Sequence, residues 1–289
     1  MELNFEPIRI ARREEYRSFL ARCPQPASDY SFINLWGWRE VYGLEWAFQD
    51  GLVWIRQTLP EPVLWAPVGD WAAADWKSMS HFVTGRRFIR VPEKLAECWL
   101  NLFSPRIKES RGHWDYVYLV KDLVDLEGER FRKKREQFES FISNYASEYY
   151  EMGPDCVEEA LEMQAEWCRW RDCEDSEALM AENRAIVHVL ENWDRLPELL
   201  GGAIRVDGKL VAYTVAEQLS EDTLVIHFEK AHANYEGAYQ AINRLFLANT
   251  ASFCRYVNRE QDLDEPGLRK AKLSYNPVSF VHKFELVFT

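Results

Sequence analysis

Between residues 258 and 275 the sequence reads NREQDLDEPGLRKAKLSY. Arg259, Glu260, Asp262, Asp264, Arg269, Lys270 and Lys272 crowd into this run, which lies between the apolar segments SFCRYV and VSFVHKFELVF. Carboxylates and cations at this density do one of two things. They lock a loop to a neighbouring helix through ion pairs, or they surround a ligand that itself carries phosphate or carboxylate. Asn258, Arg259, Glu260 and Asp262 follow the strand-like CRYVN, at the C-terminal end where open α/β sheets take their ligands. The pattern alone leaves both readings open.

A second group of basic residues lies earlier. On a helix from Phe131 to Tyr145, residues turn by about 100° each. Phe131, Phe138, Phe141, Ile142 and Tyr145 then form an apolar stripe, with Lys134 inside it and Arg135 at its edge. A lysine on a buried face needs a partner or a wet cleft. Lys134 and Arg135 therefore read either as anion contacts or as partners of Glu129 and Glu136. His227, Glu229 and His232 gather at a strand end, but not at a metal-binding spacing, and Cys168 and Cys173 do not complete one. No metal is expected. GxSxG, Walker and GxGxxG sequences are absent.

These residues need elements to hold them. EPIRIARREEYRSFL reads as a short strand and an amphipathic helix, and DYSFINLWGWRE as a second helix. A QDG turn marks a hairpin in LEWAFQDGLVWIRQ. DWAAADWKSMSHFV and PEKLAECWLNLF read as helices on either side of a strand, RFIRVP. WDYVYLV opens a second region as a strand, and helices fit GERFRKKREQFESFISNYA, DCVEEALEMQAEWCRWR and DSEALMAENRAIVHVLENWD. A short strand, EYYEM, follows the first of these. GGAIRV, LVAYTVAEQL and TLVIHFEKA are three strands joined by tight turns, with DGK as the first hairpin mark. GAYQAINRLFLANTA is a helix with Ala238, Ile242, Leu245 and Phe246 on one face. DEPGLRKAKL is a short helix, capped by Asp264 with Pro266 in its first turn, and SFVHKFELVF closes the chain as a strand.

Bulk composition sets outer limits. The chain has 289 residues, 47% hydrophobic and 28% charged, which suits a globular protein of one large or two ordinary domains. Nine of its 12 Trp precede residue 115, so the two halves differ. The boundary is placed at 1–112 and 113–289. A net charge of -12 argues against nucleic-acid binding over the whole surface, though not against one basic groove. No apolar run is long enough to span a bilayer, and Glu2 and Glu6 sit where a signal peptide carries basic residues. The six Cys are scattered and read as reduced thiols, so a cytoplasmic location is expected.

The order of elements in the second region resembles the GCN5-related N-acetyltransferase (GNAT) fold. There, a helix N-terminus after the third meander strand grips the acyl donor; here that junction is HFEKAHANYEGAYQAINR, with Gly237 and Ala238 at the turn. Four phrases taken together narrow the likeness: DYSFINLWGWRE, DYVYLVKDLVDLEGERFRKKREQF, AHANYEGAYQAINRLF and YVNREQDLDEPGLRKAKLSYNPV. They resemble the family related to the C-terminal domain of bacterial phosphatidylglycerol lysyltransferases, near the Fem-type aminoacyltransferases.

The resemblance implies an α+β fold of two tandem GNAT-like domains, with mainly antiparallel sheets flanked by helices. It also implies acyl or aminoacyl transfer from aminoacyl-tRNA or acyl-CoA to an amine or hydroxyl acceptor, small or lipid-like, without a tightly bound cofactor. That chemistry needs a base for the acceptor and donors for an oxyanion. Glu229, Glu260 or Asp262 fits the base, Tyr239 the proton donor to the leaving group, and the backbone N–H groups of residues 228–230 the oxyanion. Lys134, Arg135, Gly237, Ala238, Asn258, Arg259, Arg269, Lys270 and Lys272 would hold the donor's anionic part. Two alternatives belong to other classes: a non-catalytic anion- or nucleotide-binding module on the same fold, or a partner-binding protein using exposed Trp36, Trp38 and Trp46.

Overall fold

The computed structural model describes residues 2–289. It is a mixed α+β structure with two sheets, each flanked by helices. Two compact units result: one comprises residues up to Asp115 together with Gln261–Glu265 and Phe280–Thr289, the other Tyr116–Glu260 and Pro266–Ser279. The expected contiguous region 113–289 is therefore interrupted, because two late segments belong to the first unit.

In the first unit the strands run in the order Glu6–Pro7, Glu45–Gln49, Leu52–Gln57, Val63–Trp65, Arg87–Pro92, Lys283–Val287 and Arg106–Glu109, with Val68–Gly69 beside Leu52–Gln57. Trp46, Trp54, Trp99 and Phe88 are fully buried in its core. Helix Phe32–Tyr42 starts where Ser31 Oγ accepts the Asn34 N–H at 3.1 Å, and stops at Gly43, whose φ is 55°.

A buried polar knot explains why the chain's end returns here. Lys283 is 0% exposed; its ammonium donates to Asp115 Oδ1 at 2.6 Å and also to Asp29. Arg90 donates to the other Asp29 oxygen, while the Ser28 N–H and Gln261 Nε2 donate to Asp115 at 2.8 and 3.1 Å. SFVHKFELVF is accordingly not one strand: it breaks at His282 into Ser279–Val281 and Lys283–Val287.

Residues 70–83, read as a helix, form successive turns with only a 3-10 segment at Ser80–Phe82. Asp70 Oδ1 accepts the N–H groups of Ala72 and Ala73, and Asp75 Oδ1 accepts that of Ser78. Side chains thus take backbone donors that a helix would use. Trp71 and Trp76 are buried with their indoles donating to the Pro67 and Trp71 carbonyls.

The second unit's sheet has the order Ser279–Val281, Asp115–Leu119, Tyr256–Asn258, Thr223–Ala231, Lys209–Ser220, Leu200–Val206 and Ser147–Glu151. Helix Ala238–Thr250 buries Ala238, Ala241 and Ile242 with Ile204, Val206 and Val211 of the sheet and Phe141 of helix Arg132–Asn144. Ile142, placed in that helix's apolar stripe by spacing, is 44% exposed. Phe141, 0% exposed, makes the contact with the core instead.

Cys168 and Cys173 are joined by a disulfide, which corrects the reading of six reduced thiols; Cys23, Cys98, Cys156 and Cys254 are free. Among the described residues no helix is long and apolar enough to cross a membrane, and no three metal-ligating side chains converge.

Candidate functional site

Strands Thr223–Ala231 and Tyr256–Asn258 run parallel, but they pair over three residues only, Thr223–Val225 with Tyr256–Asn258. Beyond Val225 the longer strand continues for six residues while its neighbour ends. A wedge opens at the C-terminal end of the pair, where an unpaired strand edge faces the residues after Asn258. The register with strand Lys209–Ser220 shifts within the long strand, where Ile226 pairs Ala216 and Phe228 pairs Val215 and His227 is the extra residue between them.

Polar side chains bridge this wedge. Arg259 Nη2 donates to Glu229 Oε1 at 2.7 Å, and Asn243 Nδ2 donates to Glu229 Oε2 at 2.9 Å. The Arg259 and Glu229 side chains are 13% and 10% exposed. Burial alone would lower the Arg259 guanidinium, but Glu229 holds it well above its usual value. Its Nη1 is buried without a hydrogen-bond partner. The guanidinium also lies 4.6 Å from the centre of the Tyr275 ring, and Lys134 Nζ lies 4.1 Å from it.

His227 lies between Ile226 and Phe228, where the strand register shifts, and is buried. Its ring is held between Glu260 Oε1, 2.9 Å from Nδ1, and Glu217 Oε1, 3.0 Å from Nε2. Burial opposes the imidazolium, yet the two carboxylates raise His227 to about 9. At neutral pH the ring is charged and both N–H groups donate. A group raised from 6.5 to about 9 on folding stabilises fully below 6.5, and that contribution fades as pH climbs through 9. We expect wild-type stability to fall across this window by about 3 kcal/mol more than that of His227→Gln. Urea unfolding at pH 6 and pH 9.5 checks it, and equal losses in both proteins would exclude the charged imidazole.

The expected site residues divide sharply. Asn258 is 1% exposed, and its Oδ1 accepts the Glu260 N–H at 2.8 Å. Lys272 Nζ donates to the Arg259 carbonyl, and Arg135 Nη1 to the Leu126 carbonyl at 2.5 Å. Asn258, Lys272 and Arg135 thus tie backbone. Asp262 is 0% exposed, belongs to the first unit, and accepts from Arg111 Nη1 at 3.1 Å and from the Asp264 N–H at 2.9 Å. The expectation that Asp262 is a base is therefore corrected: a sealed carboxylate cannot reach an acceptor. It secures a loop in which Glu260, Leu263 and Asp264 hold φ of 55°, 51° and 62°, a conformation that survives in non-glycine residues only when such ties fix it. Arg269 is half-buried and Lys270 exposed on helix Pro266–Leu273. Glu129 and Glu136 both pair with Arg132, at 3.2 and 3.9 Å, which leaves neither for Lys134.

Gly237 caps helix Ala238–Thr250 with φ of 84°. A Cβ there would meet the Gln137 carbonyl at 2.3 Å. Gly237→Ala is expected to cost about 1–3 kcal/mol through the left-handed backbone and this clash, readable as a shift in the urea midpoint; an unchanged midpoint would mean that the turn relaxes freely. The Ala238 N–H already donates to the Tyr235 carbonyl at 3.1 Å, and that of Ala241 to the Gly237 carbonyl at 2.9 Å, so the expected anion contact at Ala238 is spent on the turn. Tyr239, 36% exposed, accepts from Trp167 Nε1 at 3.1 Å, so its own O–H remains available. Trp36 and Trp46 are buried, at 9% and 0% exposure, which removes them from any partner surface.

The residues that sequence reading missed are Glu217, Asn243 and Tyr275. Tyr275 lies inside the charged run, and Asn243 lies one helical turn from Tyr239, spacing that could have found both. Glu217 has no such signal, since only strand pairing brings it to His227.

Two sheets with flanking helices and a polar wedge between diverging parallel strands define the class. The chain belongs to the family described as phosphatidylglycerol lysyltransferase, C-terminal, whose model matches residues 20–286. It is similar over 100% of both chains, with 31% identity and a TM-score of 0.93, to a conserved protein of unknown function from Bacteroides thetaiotaomicron VPI-5482. L-PGS from Bacillus licheniformis shares the fold at 13% identity and a TM-score of 0.67, covering 100% of this chain and 94% of that one. No curated protein matches the chain.

Proposed function

We propose that the second unit transfers an activated acyl group to an amine or hydroxyl acceptor at the wedge, and that the two units are tandem GNAT-like domains. The observation that carries this is Arg259: a buried guanidinium with one unpartnered nitrogen, aligned by Glu229 where the parallel strands part. Such a donor suits an oxygen that gains charge during acyl transfer, or the anionic part of the donor. Backbone N–H groups along residues 228–230 that point away from strand Lys209–Ser220 would add to it. Tyr239 would protonate the leaving oxygen or sulfur. Glu229 and Glu260 are engaged by Arg259 and His227, and act in this reading as orienting groups.

Family membership favours aminoacyl-tRNA as the donor, with the basic residues Lys133, Arg269 and Lys270 near its phosphates; acyl-CoA is the competing donor. A binding module without turnover is the second reading, favoured by the cation-paired state of both carboxylates. Incubating the purified chain with an aminoacyl-tRNA pool, or with acyl-CoAs, plus amine and hydroxyl acceptors separates these. Acceptor-dependent consumption of one donor is expected. Saturable binding without consumption favours the module, and neither binding nor consumption overturns both readings.

A further inference from the structure

The wedge is rich in carboxylates, yet none has an oxygen set free for proton transfer. Glu229 is shared between Arg259 and Asn243, Glu260 holds the charged His227, and Asp262 is sealed in the first unit. Transfer to an amine needs a group that removes a proton as the new bond forms. Lys134 offers another candidate: its Nζ rests 4.1 Å from the centre of the Tyr275 ring, with no carboxylate and no hydrogen-bond acceptor on it among the described residues.

We propose that Lys134, as a neutral amine, is the general base that takes the proton from the attacking acceptor, an inference that rests on the transfer reading above. The groups facing it set its state. Arg259 shares the same ring from just after strand Tyr256–Asn258, and Lys133 adjoins it on its own helix; both are cations. Glu229 from strand Thr223–Ala231 is the one opposing charge, and it is already paired. The Tyr275 phenol, pushed up to about 12 by burial, stays neutral and offers no counter-charge. Burial first, then Arg259 and Lys133, bring Lys134 down from 10.5 to about 8. About one amine in ten is thus unprotonated at pH 7 and half at pH 8, which gives the base a supply that an ordinary lysine lacks.

The step balances as follows. The acceptor nitrogen attacks the donor's carbonyl carbon, forming a C–N bond and an oxyanion stabilised at Arg259. Lys134 Nζ takes one proton from that nitrogen, becoming an ammonium. Collapse of the intermediate breaks the bond to the leaving oxygen or sulfur, which takes a proton from Tyr239. Lys134 then releases its proton to water and Tyr239 regains one. An anion-binding lysine would instead act in its charged form.

Lys134→Arg tells the two roles apart, because arginine keeps the charge but cannot lose a proton at working pH. For wild type, kcat/KM should rise with pH through about 8. Lys134→Arg should lose roughly 100-fold or more, and that limb with it, with Lys134→Gln behaving alike and both melting as wild type does. Near wild-type activity in Lys134→Arg, with the same pH midpoint, would overturn the base and leave the transfer reading standing. Amine-reactive labelling of Lys134, read by mass spectrometry between pH 6 and 11, gives an independent readout. A midpoint near 8 is expected, and one near 10.5 would refute an activated amine whatever the substrate. If wild type transfers nothing from either donor class, the transfer reading fails and the base falls with it.

Discussion

Lys283→Met should destabilise the first unit by about 3–5 kcal/mol at pH 7, the cost of breaking a buried ion pair by removing one partner. Asp29 and Asp115 are both buried, and Lys283 is the cation they share. Without it, Asp29 keeps Arg90 and Asp115 keeps the donors of Ser28 and Gln261, but both lose the ammonium they share. Methionine fills a similar volume, so packing loss is small and the electrostatic effect dominates. Burial works against the Asp29 carboxylate, but Lys283 and Arg90 together hold it well below the usual range. A depressed carboxylate stabilises above its unfolded value of 3.8 and loses that contribution as pH falls below it. Without Lys283 the Asp29 carboxylate is less strongly held down, so the gap between variant and wild type should narrow as pH falls below 3.8. Urea unfolding at pH 7 and pH 3 measures it. Asp115→Asn in the Lys283→Met background should recover part of the loss, since it removes the stranded charge. A loss below about 1 kcal/mol, or one that does not change with pH, would mean that the knot is hydrated and not the anchor of strand Lys283–Val287.

Arg259→Ala should cost about 3 kcal/mol or more in the second unit, for the same reason, because Glu229 is left nearly buried with Asn243 alone. Under the proposed transfer reading the functional consequence is larger than the structural one: the variant would lose the Nη1 proposed to meet an oxyanion or an anionic donor, and single oxyanion donors contribute about 100–1,000-fold to kcat. Glu229→Gln in the Arg259→Ala background separates the two effects: stability should return, because no bare carboxylate remains, while transfer and donor binding should not. Recovery of both would assign Arg259 to architecture alone. Arg259→Lys keeps the charge and loses the planar fork, so partial stability with poor transfer is expected from it.

Much of the architecture was legible because local rules sufficed. Alternation and tight turns gave the meander of strands Leu200–Val206, Lys209–Ser220 and Thr223–Ala231, and helical spacing gave helix Ala238–Thr250 with its buried Ala238 and Ile242. Residues 70–83 were misread because aspartates captured backbone donors, an effect that outweighs a favourable apolar spacing. Strand Arg106–Glu109 was not foreseen either, since all four of its residues are exposed and leave no burial pattern to read.

The charged run at 258–275 divides between two places. Asn258, Asp262 and Lys272 fix the backbone, whereas Arg259 and Glu260 stand at the wedge. By itself the sequence determined the residue types at the site, the order of elements and the family, because these depend on neighbours along the chain. Tertiary structure alone decided which charges are spent on each other. It paired Glu217 with His227 across two strands, returned Lys283 to Asp29 and Asp115, and left Lys134 and one Arg259 nitrogen without partners. The physical reason is that charge pairing acts through space at a few ångströms, and sequence distance carries no record of it.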